Sequence, residues 1–118
     1  MRMTMIAVPV LLGLLAAPQA QAACTPIRFA TGTTGADVEG VAPPEGVLCY
    51  SLETGAGQTA TISVTRGKNI IFSVSDLIDA QDRYTFTTEA RTYEIIVGQL
   101  MRSISDEPFT LQISVTGP

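Results

Sequence analysis

The 118-residue sequence contains no histidine and no tryptophan, only two cysteines and a single lysine, Lys68. Without histidine there is no Ser-His or Cys-His nucleophile pair and no catalytic zinc-water of the common kinds. Without tryptophan, a sugar-stacking surface can draw only on Tyr50, Tyr84, Tyr93 and four phenylalanines, most of them at inward positions. A carbohydrate or cell-wall glycan such as peptidoglycan therefore stands behind a protein as the expected partner. Paired carboxylates remain for glycosidase-like chemistry, but a small domain has little depth to shield an acid from water and raise its pKa. The chain reads as a non-catalytic protein without a cofactor.

Positive charge is scarce as well. Beyond residue 22, Arg28, Arg66, Lys68, Arg83, Arg91 and Arg102 face all 11 acidic residues, a formal charge of −5. Such a surface argues against nucleic acid or an anionic membrane, suits a basic protein partner and keeps an exported protein in solution. Long apolar runs are limited to one, "MIAVPVLLGLLAA" at 5–17, which follows Arg2 and precedes Ala20-Gln21-Ala22. This order predicts a secretory signal peptide cut after Ala22 and a periplasmic or extracellular address. The run is shorter than the roughly 20 residues of a membrane span, and no later stretch resembles one. Cys24 raises the competing reading of an acylated lipoprotein cysteine, which Gln21 disfavours because it stands where such signals usually carry leucine. The expected organisation is a signal peptide at 1–22 and one small domain at 23–118.

After export, Cys24 and Cys49 are expected to pair. A bridge closing a loop of about 26 residues contributes about 3.5 kcal/mol in the chain-entropy account and pins the first segment to the strand carrying Cys49. Two thiolates without histidine do not complete a tetrahedral shell, so no metal is expected there.

Downstream, β-branched and aromatic residues recur in short runs separated by Gly, Pro, Asn and Asp, the rhythm of an all-β domain. Strands are predicted at 26–30, 36–41, 47–53, 59–65, 69–75, 83–88, 92–98 and 109–115. In the last, Phe109, Leu111, Ile113 and Val115 face inward while Thr110, Gln112 and Ser114 face water. Tyr50/Leu52, Ile62/Val64 and Ile70/Phe72/Val74 repeat the pattern, and two such faces packed together make a single antiparallel β-sandwich, Greek-key or jelly-roll-like, of seven or eight strands. "TGAGQ" (54–58) offers two glycines for positive φ, and "TRGKN" (65–69) reads as a tight hairpin. "SDLIDAQD" (75–82) reads as a turn of helix, and a bend or bulge at Gly98 is expected to end the strand at 92–98.

Three local features carry possible chemistry. "GTTGADVEG" (32–40) is glycine-rich but lacks the Lys-Ser/Thr ending of a phosphate loop, so it reads as a turn and a strand. Asp76, Asp79 and Asp82, with Asp106 and Glu107, offer carboxylates, but their three-residue spacing is not that of a calcium loop, which leaves a solvated acidic face. Arg91 and Tyr93, with Arg102, are of the residue types that most often anchor interfaces, although Tyr93 lies in register with Ile95 and Val97 and so also fits the core.

The stretches 28–64, "ARTYEIIVGQLMRS" (90–103) and "FTLQISV" (109–115) carry a resemblance. Phe29, Gly32 and Gly40 mark a Phe-x-x-Gly start and a strand ending in glycine. Tyr50 leads to Ala56-Gly57-Gln58, and Ala90 to Tyr93 form a small-x-x-Tyr turn into a strand. Together these features resemble the bacterial pre-peptidase C-terminal type of β-sandwich. More narrowly, they are similar to the small exported relatives that inhibit animal-type lysozymes, the periplasmic inhibitors of g-type lysozyme above all, with the i-type beside them. In those inhibitors a Ser-Gly-x-Tyr loop enters the lysozyme cleft, and the resemblance places it at Ala90-Arg91-Thr92-Tyr93. Ala90 lacks the hydroxyl that would meet the catalytic carboxylates, and Arg91 lacks the freedom of glycine. A guanidinium can instead grip carboxylates bidentately. The resemblance thus implies a lysozyme-inhibitor-like binding protein with Ala90, Arg91, Thr92, Tyr93 and Arg102 toward its partner, the alternative being a carbohydrate- or peptidoglycan-binding or envelope interaction module of the pre-peptidase C-terminal type.

Overall fold

The computed structural model describes residues 23–118, so the signal peptide expected at 1–22 lies outside the described residues. Among these, nine strands form two sheets: β1 (Thr25–Pro26), β2 (Gly35–Ala42), β3 (Leu48–Thr54), β4 (Thr59–Arg66), β5 (Ile70–Val74), β6 (Ile78–Gln81), β7 (Arg83–Thr87), β8 (Arg91–Gln99) and β9 (Glu107–Thr116). One sheet has the order β1-β3-β8-β5-β6 and the other β2-β9-β4-β7. Every pairing is antiparallel except the short parallel contact of β1 with β3. The expected β-sandwich is the observed architecture.

Alternation accounts for the core. One face of β3, β8 and β5 turns Tyr50, Leu52, Tyr93, Ile95, Val97, Ile70, Phe72 and Val74 inward. It meets Ala60, Ile62, Phe86, Phe109, Leu111, Ile113 and Val115 from the other sheet. Each large side chain sealed in this way stabilises the fold by about 1.5–3 kcal/mol relative to exposure. Gly40 is part of the same packing, because a Cβ there would stand 2.8 Å from both Phe109 Cζ and the Tyr50 hydroxyl.

Several local expectations are corrected. The strand at 26–30 is reduced to Thr25–Pro26, where proline supplies no N–H, followed by one ladder-like bond from Ile27 N to Ser51 O at 2.9 Å. No helical turn forms at 75–82. The segment is the turn of a β5–β6 hairpin, with Asp76 (φ 64°) and Ala80 (φ 45°) in left-handed conformations and Ser73 Oγ accepting from Ala80 N at 3.0 Å. Residues 65–69 do not make a hairpin either, since β4 and β5 belong to different sheets; Gly67 (φ 123°) and Asn69 (φ 62°) turn the chain across the sandwich. In 54–58 only Gly57 takes positive φ, at 75°. The strand β8 passes through Gly98 and ends at Gln99, and Gly98 is small because Val47 Cγ1 would lie 3.2 Å from its Cβ. Thr110, expected to face water, is buried beside the irregularity in β4 where the register shifts between Val64 and Arg66.

Candidate binding site

Chain direction places the segments 54–58 and 87–91 at one end of the sandwich, since β3 ends at Thr54, β7 at Thr87, and β8 begins at Arg91. Thr88 continues the inward alternation of Tyr84 and Phe86, so it is buried at this end, where a polar side chain must find partners. It finds four. Its N–H donates to Gln58 O at 2.8 Å and its carbonyl accepts from Gly57 N at 2.8 Å. Its hydroxyl donates to Gly55 O at 2.6 Å and accepts from Gln58 N at 3.0 Å. Gln58 tightens the opposing turn by accepting from Gly55 N through Oε1 at 2.8 Å.

Thr54, inward on β3 after Tyr50 and Leu52, braces the next residues. Its hydroxyl donates to Glu89 O at 2.7 Å, with Arg91 O at 3.3 Å. The Tyr93 hydroxyl accepts from Glu89 N at 3.0 Å, so the tip of the 88–91 turn is tied down on both sides. The turn is thus held by hydrogen bonds within the fold itself, an arrangement that lowers the ordering cost of any contact made there.

The expected site residues divide. Tyr93 is 4 % exposed, with its ring edge-on to Phe86 at a centroid distance of 5.1 Å. It is a core residue and a platform. Arg91 is exposed, and its guanidinium lies 4.5 Å from the Tyr93 ring centroid. Its Nε–H reaches Thr92 O at 3.4 Å, and the terminal nitrogens supply the rest of the guanidinium fork. Ala90 and Thr92 are exposed on either side. Arg102 does not join them: it follows β8 at the other end, about 25 Å or more away at the usual rise per strand residue. The bracing residues Thr54, Gln58 and Thr88 were not anticipated. The signal available for the two threonines was a polar residue at an inward position of an alternating strand.

Other candidates are dispersed. Asp76 lies in the β5–β6 turn, Asp79 in β6 and Asp82 after it, while Asp106 and Glu107 lead into β9. Cys24 and Cys49 form the expected disulfide, so their approach to Glu94 offers no thiolate to a metal. Two open hollows of about 500 and 440 Å³ lie at the Arg102 end, and each has a single carboxylate in its lining, Asp82 and Glu45 respectively. Neither offers the carboxylate pair of a glycosidase. Tyr50 is shifted, burial pushing its phenol pKa up.

No protein-family model matches the sequence, and no curated protein does. Solved structures do match the fold. A periplasmic inhibitor of g-type lysozyme from Aeromonas hydrophila, PliG, superposes with a TM-score of 0.67 at 24 % identity, covering 79 % of this chain and 96 % of that one. This chain has the PliG fold. The PliG of Salmonella Typhimurium matches with a TM-score of 0.65 at 17 % identity, over 81 % of this chain and 100 % of that one. The pre-peptidase C-terminal domain of a Bacillus anthracis collagenase matches at 0.51 and 10 % identity, over 84 % of this chain and all of that domain. The likeness to the PliG structures is therefore one of fold, spread across nearly the whole described domain.

Proposed function

We propose that this chain is an exported, non-catalytic binding protein that inhibits a basic cell-wall-degrading enzyme of the lysozyme type through the turn at 88–92. The observation that carries the reading is the braced turn itself, which holds Arg91 outward over the Tyr93 ring. Arg91 is the contact residue, and Ala90 and Thr92 flank it. Tyr93 acts from beneath by positioning the guanidinium. A planar fork held in this way suits a pair of carboxylates at the bottom of a glycosidase cleft. An excess of acidic residues on the rest of the chain draws a basic enzyme toward it and rejects anionic surfaces. The PliG fold supports the reading, and a disulfide supports export into an oxidising compartment.

The test is inhibition of g-, c- and i-type lysozymes by the exported protein at low and moderate salt. Inhibition of one class, weakened by salt and lost in Arg91→Ala, supports the proposal. No inhibition of any class at micromolar protein refutes it. Little favours a glycan-binding module: Tyr50, Tyr93, Phe72, Phe86 and Phe109 are buried, Tyr84 is half-buried against Phe86, and Phe29 is partly buried against the core.

A further inference from the structure

The end of the sandwich opposite Arg91 carries a second surface, which the lysozyme reading leaves unused. Among the described residues six large apolar side chains stay exposed, and five of them lie there: Val41 at the end of β2, Val47 before β3, and Leu100, Met101 and Ile104 after β8. Ile104 is 98 % exposed and Met101 66 %.

These side chains are held out by hydrogen bonds and do not sit on a fraying loop. Asn69, in a left-handed conformation, accepts from Met101 N through Oδ1 at 2.8 Å and donates through Nδ2 to Met101 O at 2.9 Å. Its own carbonyl accepts from Leu100 N at 2.9 Å. Gln99 Nε2 reaches Ser105 O at 2.9 Å and Ala42 O at 3.1 Å, which ties the 42–47 segment to the 100–106 segment. Pro44, Glu45, Leu100, Met101 and Arg102 line one shared hollow. Water gains nothing from an arrangement that fixes the backbone in order to display leucine, methionine and isoleucine.

We propose that this end is a two-fold interface with a second copy of the chain. Area is the first argument. Leu100, Met101 and Ile104, on one short segment, leave on the order of 400 Å² of residue surface in water, the size of an interaction patch, and Val41 and Val47 add exposed apolar surface at the same end. With Pro43, Pro44 and the surrounding polar rim, the end approaches the roughly 800 Å² per partner of a stable contact. Charge is the second argument. The chain as a whole is acidic, yet this end carries Arg66, Lys68 and Arg102 beside Glu45, Asp106 and Glu107. A patch bearing both signs is complementary to itself across a two-fold axis, where Arg102 of one copy meets acidic residues of the other. With three cations against three carboxylates the end has no net charge to attract an anionic lipid surface, and the chain as a whole is acidic. The two Arg91 turns of such a dimer would face outward, at opposite extremes.

Sedimentation velocity of the exported protein, produced from the full chain at about 1 to 100 µM, reads the association directly. The dimer is expected to dissociate on dilution. Ile104→Asp and Met101→Asp should each raise its dissociation constant about tenfold or more, with melting curves matching the wild type at dilutions where all are monomeric, because both side chains are exposed, and falling below it where the wild type is dimeric. Arg102→Glu should weaken the dimer, and Arg102→Glu with Glu45→Arg should recover it. A monomer at every concentration overturns the proposal, as does a dimer indifferent to Ile104→Asp and Met101→Asp. A monomer that floats with anionic phospholipid vesicles would assign the patch to lipid and overturn it too.

Discussion

Replacing Tyr93 by alanine should damage this protein in a different way from replacing Arg91, although the two side chains touch. Tyr93 is 4 % exposed, packs edge-on against Phe86 and holds the Glu89 N–H. Truncating a buried aromatic leaves a cavity and costs about 3–5 kcal/mol. That is a large part of the 5–15 kcal/mol available to a small domain. At about 4–8 °C per kcal/mol for a domain of this size, the melting temperature should fall by roughly 12 °C or more. Arg91 contributes only an exposed cation–π contact, about 0.5–1 kcal/mol, so Arg91→Ala should shift melting by a few degrees. Inhibition of lysozyme should respond differently once the variants are measured folded, well below their melting points: Arg91→Ala abolishes it, Tyr93→Ala weakens it by removing the ring beneath the guanidinium, and Tyr93→Phe, which keeps that ring and releases only Glu89 N, weakens it least. Circular-dichroism melts and an inhibition curve for each variant separate the two roles. Tyr93→Ala melting within about 3 °C of wild type would refute the packing argument, since even 1 kcal/mol should move it further.

Other consequences follow from the same geometry. Cys24→Ser with Cys49→Ser should cost about 3.5 kcal/mol, measured by denaturant unfolding, because it releases a loop of about 26 residues. Gly40→Ala should destabilise by about 1–3 kcal/mol, since the added Cβ would strike Phe109 and the Tyr50 hydroxyl, whereas Gly32→Ala meets open space and only the positive-φ penalty. Tyr50 has a folded-state pKa raised above its ordinary value, so the fold favours the protonated phenol. Its contribution is present below the unfolded pKa near 10 and is lost as pH rises through the folded value, so urea midpoints should fall in that alkaline range, and less so in Tyr50→Phe. Thr88→Val removes a hydroxyl with two partners and leaves Gln58 N and Gly55 O unsatisfied, so it should cost about 1–3 kcal/mol and speed amide exchange across 55–58 and 88–91.

Much of the fold was legible because two-residue alternation is a local signal. Ile70/Phe72/Val74 and Phe109/Leu111/Ile113/Val115 declare their inward faces within a few residues, and all seven are buried. The partner of a strand is not local. Nothing in "TRGKN" distinguishes a hairpin from a crossing between sheets, because Gly67 and Asn69 serve either. Residues 75–82 were misread because β6 is only four residues long and its alternation is interrupted by the left-handed Ala80. The contact loop at 90–93 was placed by resemblance, but the bracing of the turn that leads into it was not, since it depends on Thr54 and Gln58, 30 to 35 residues earlier in the chain. Arg91 and Arg102 are close in sequence and far apart in space for a simple reason: an extended strand lies between them.

The account turns on whether Arg91 meets the enzyme. Calorimetric titration of a g-type lysozyme with the protein and with Arg91→Glu, each first shown to melt as a folded domain, addresses that directly. Submicromolar binding by the wild type, weakened at least about a hundredfold (near 3 kcal/mol) by the charge reversal, is the result expected. Equal affinity for both proteins, or none for the wild type, would contradict the placement of the site on this turn.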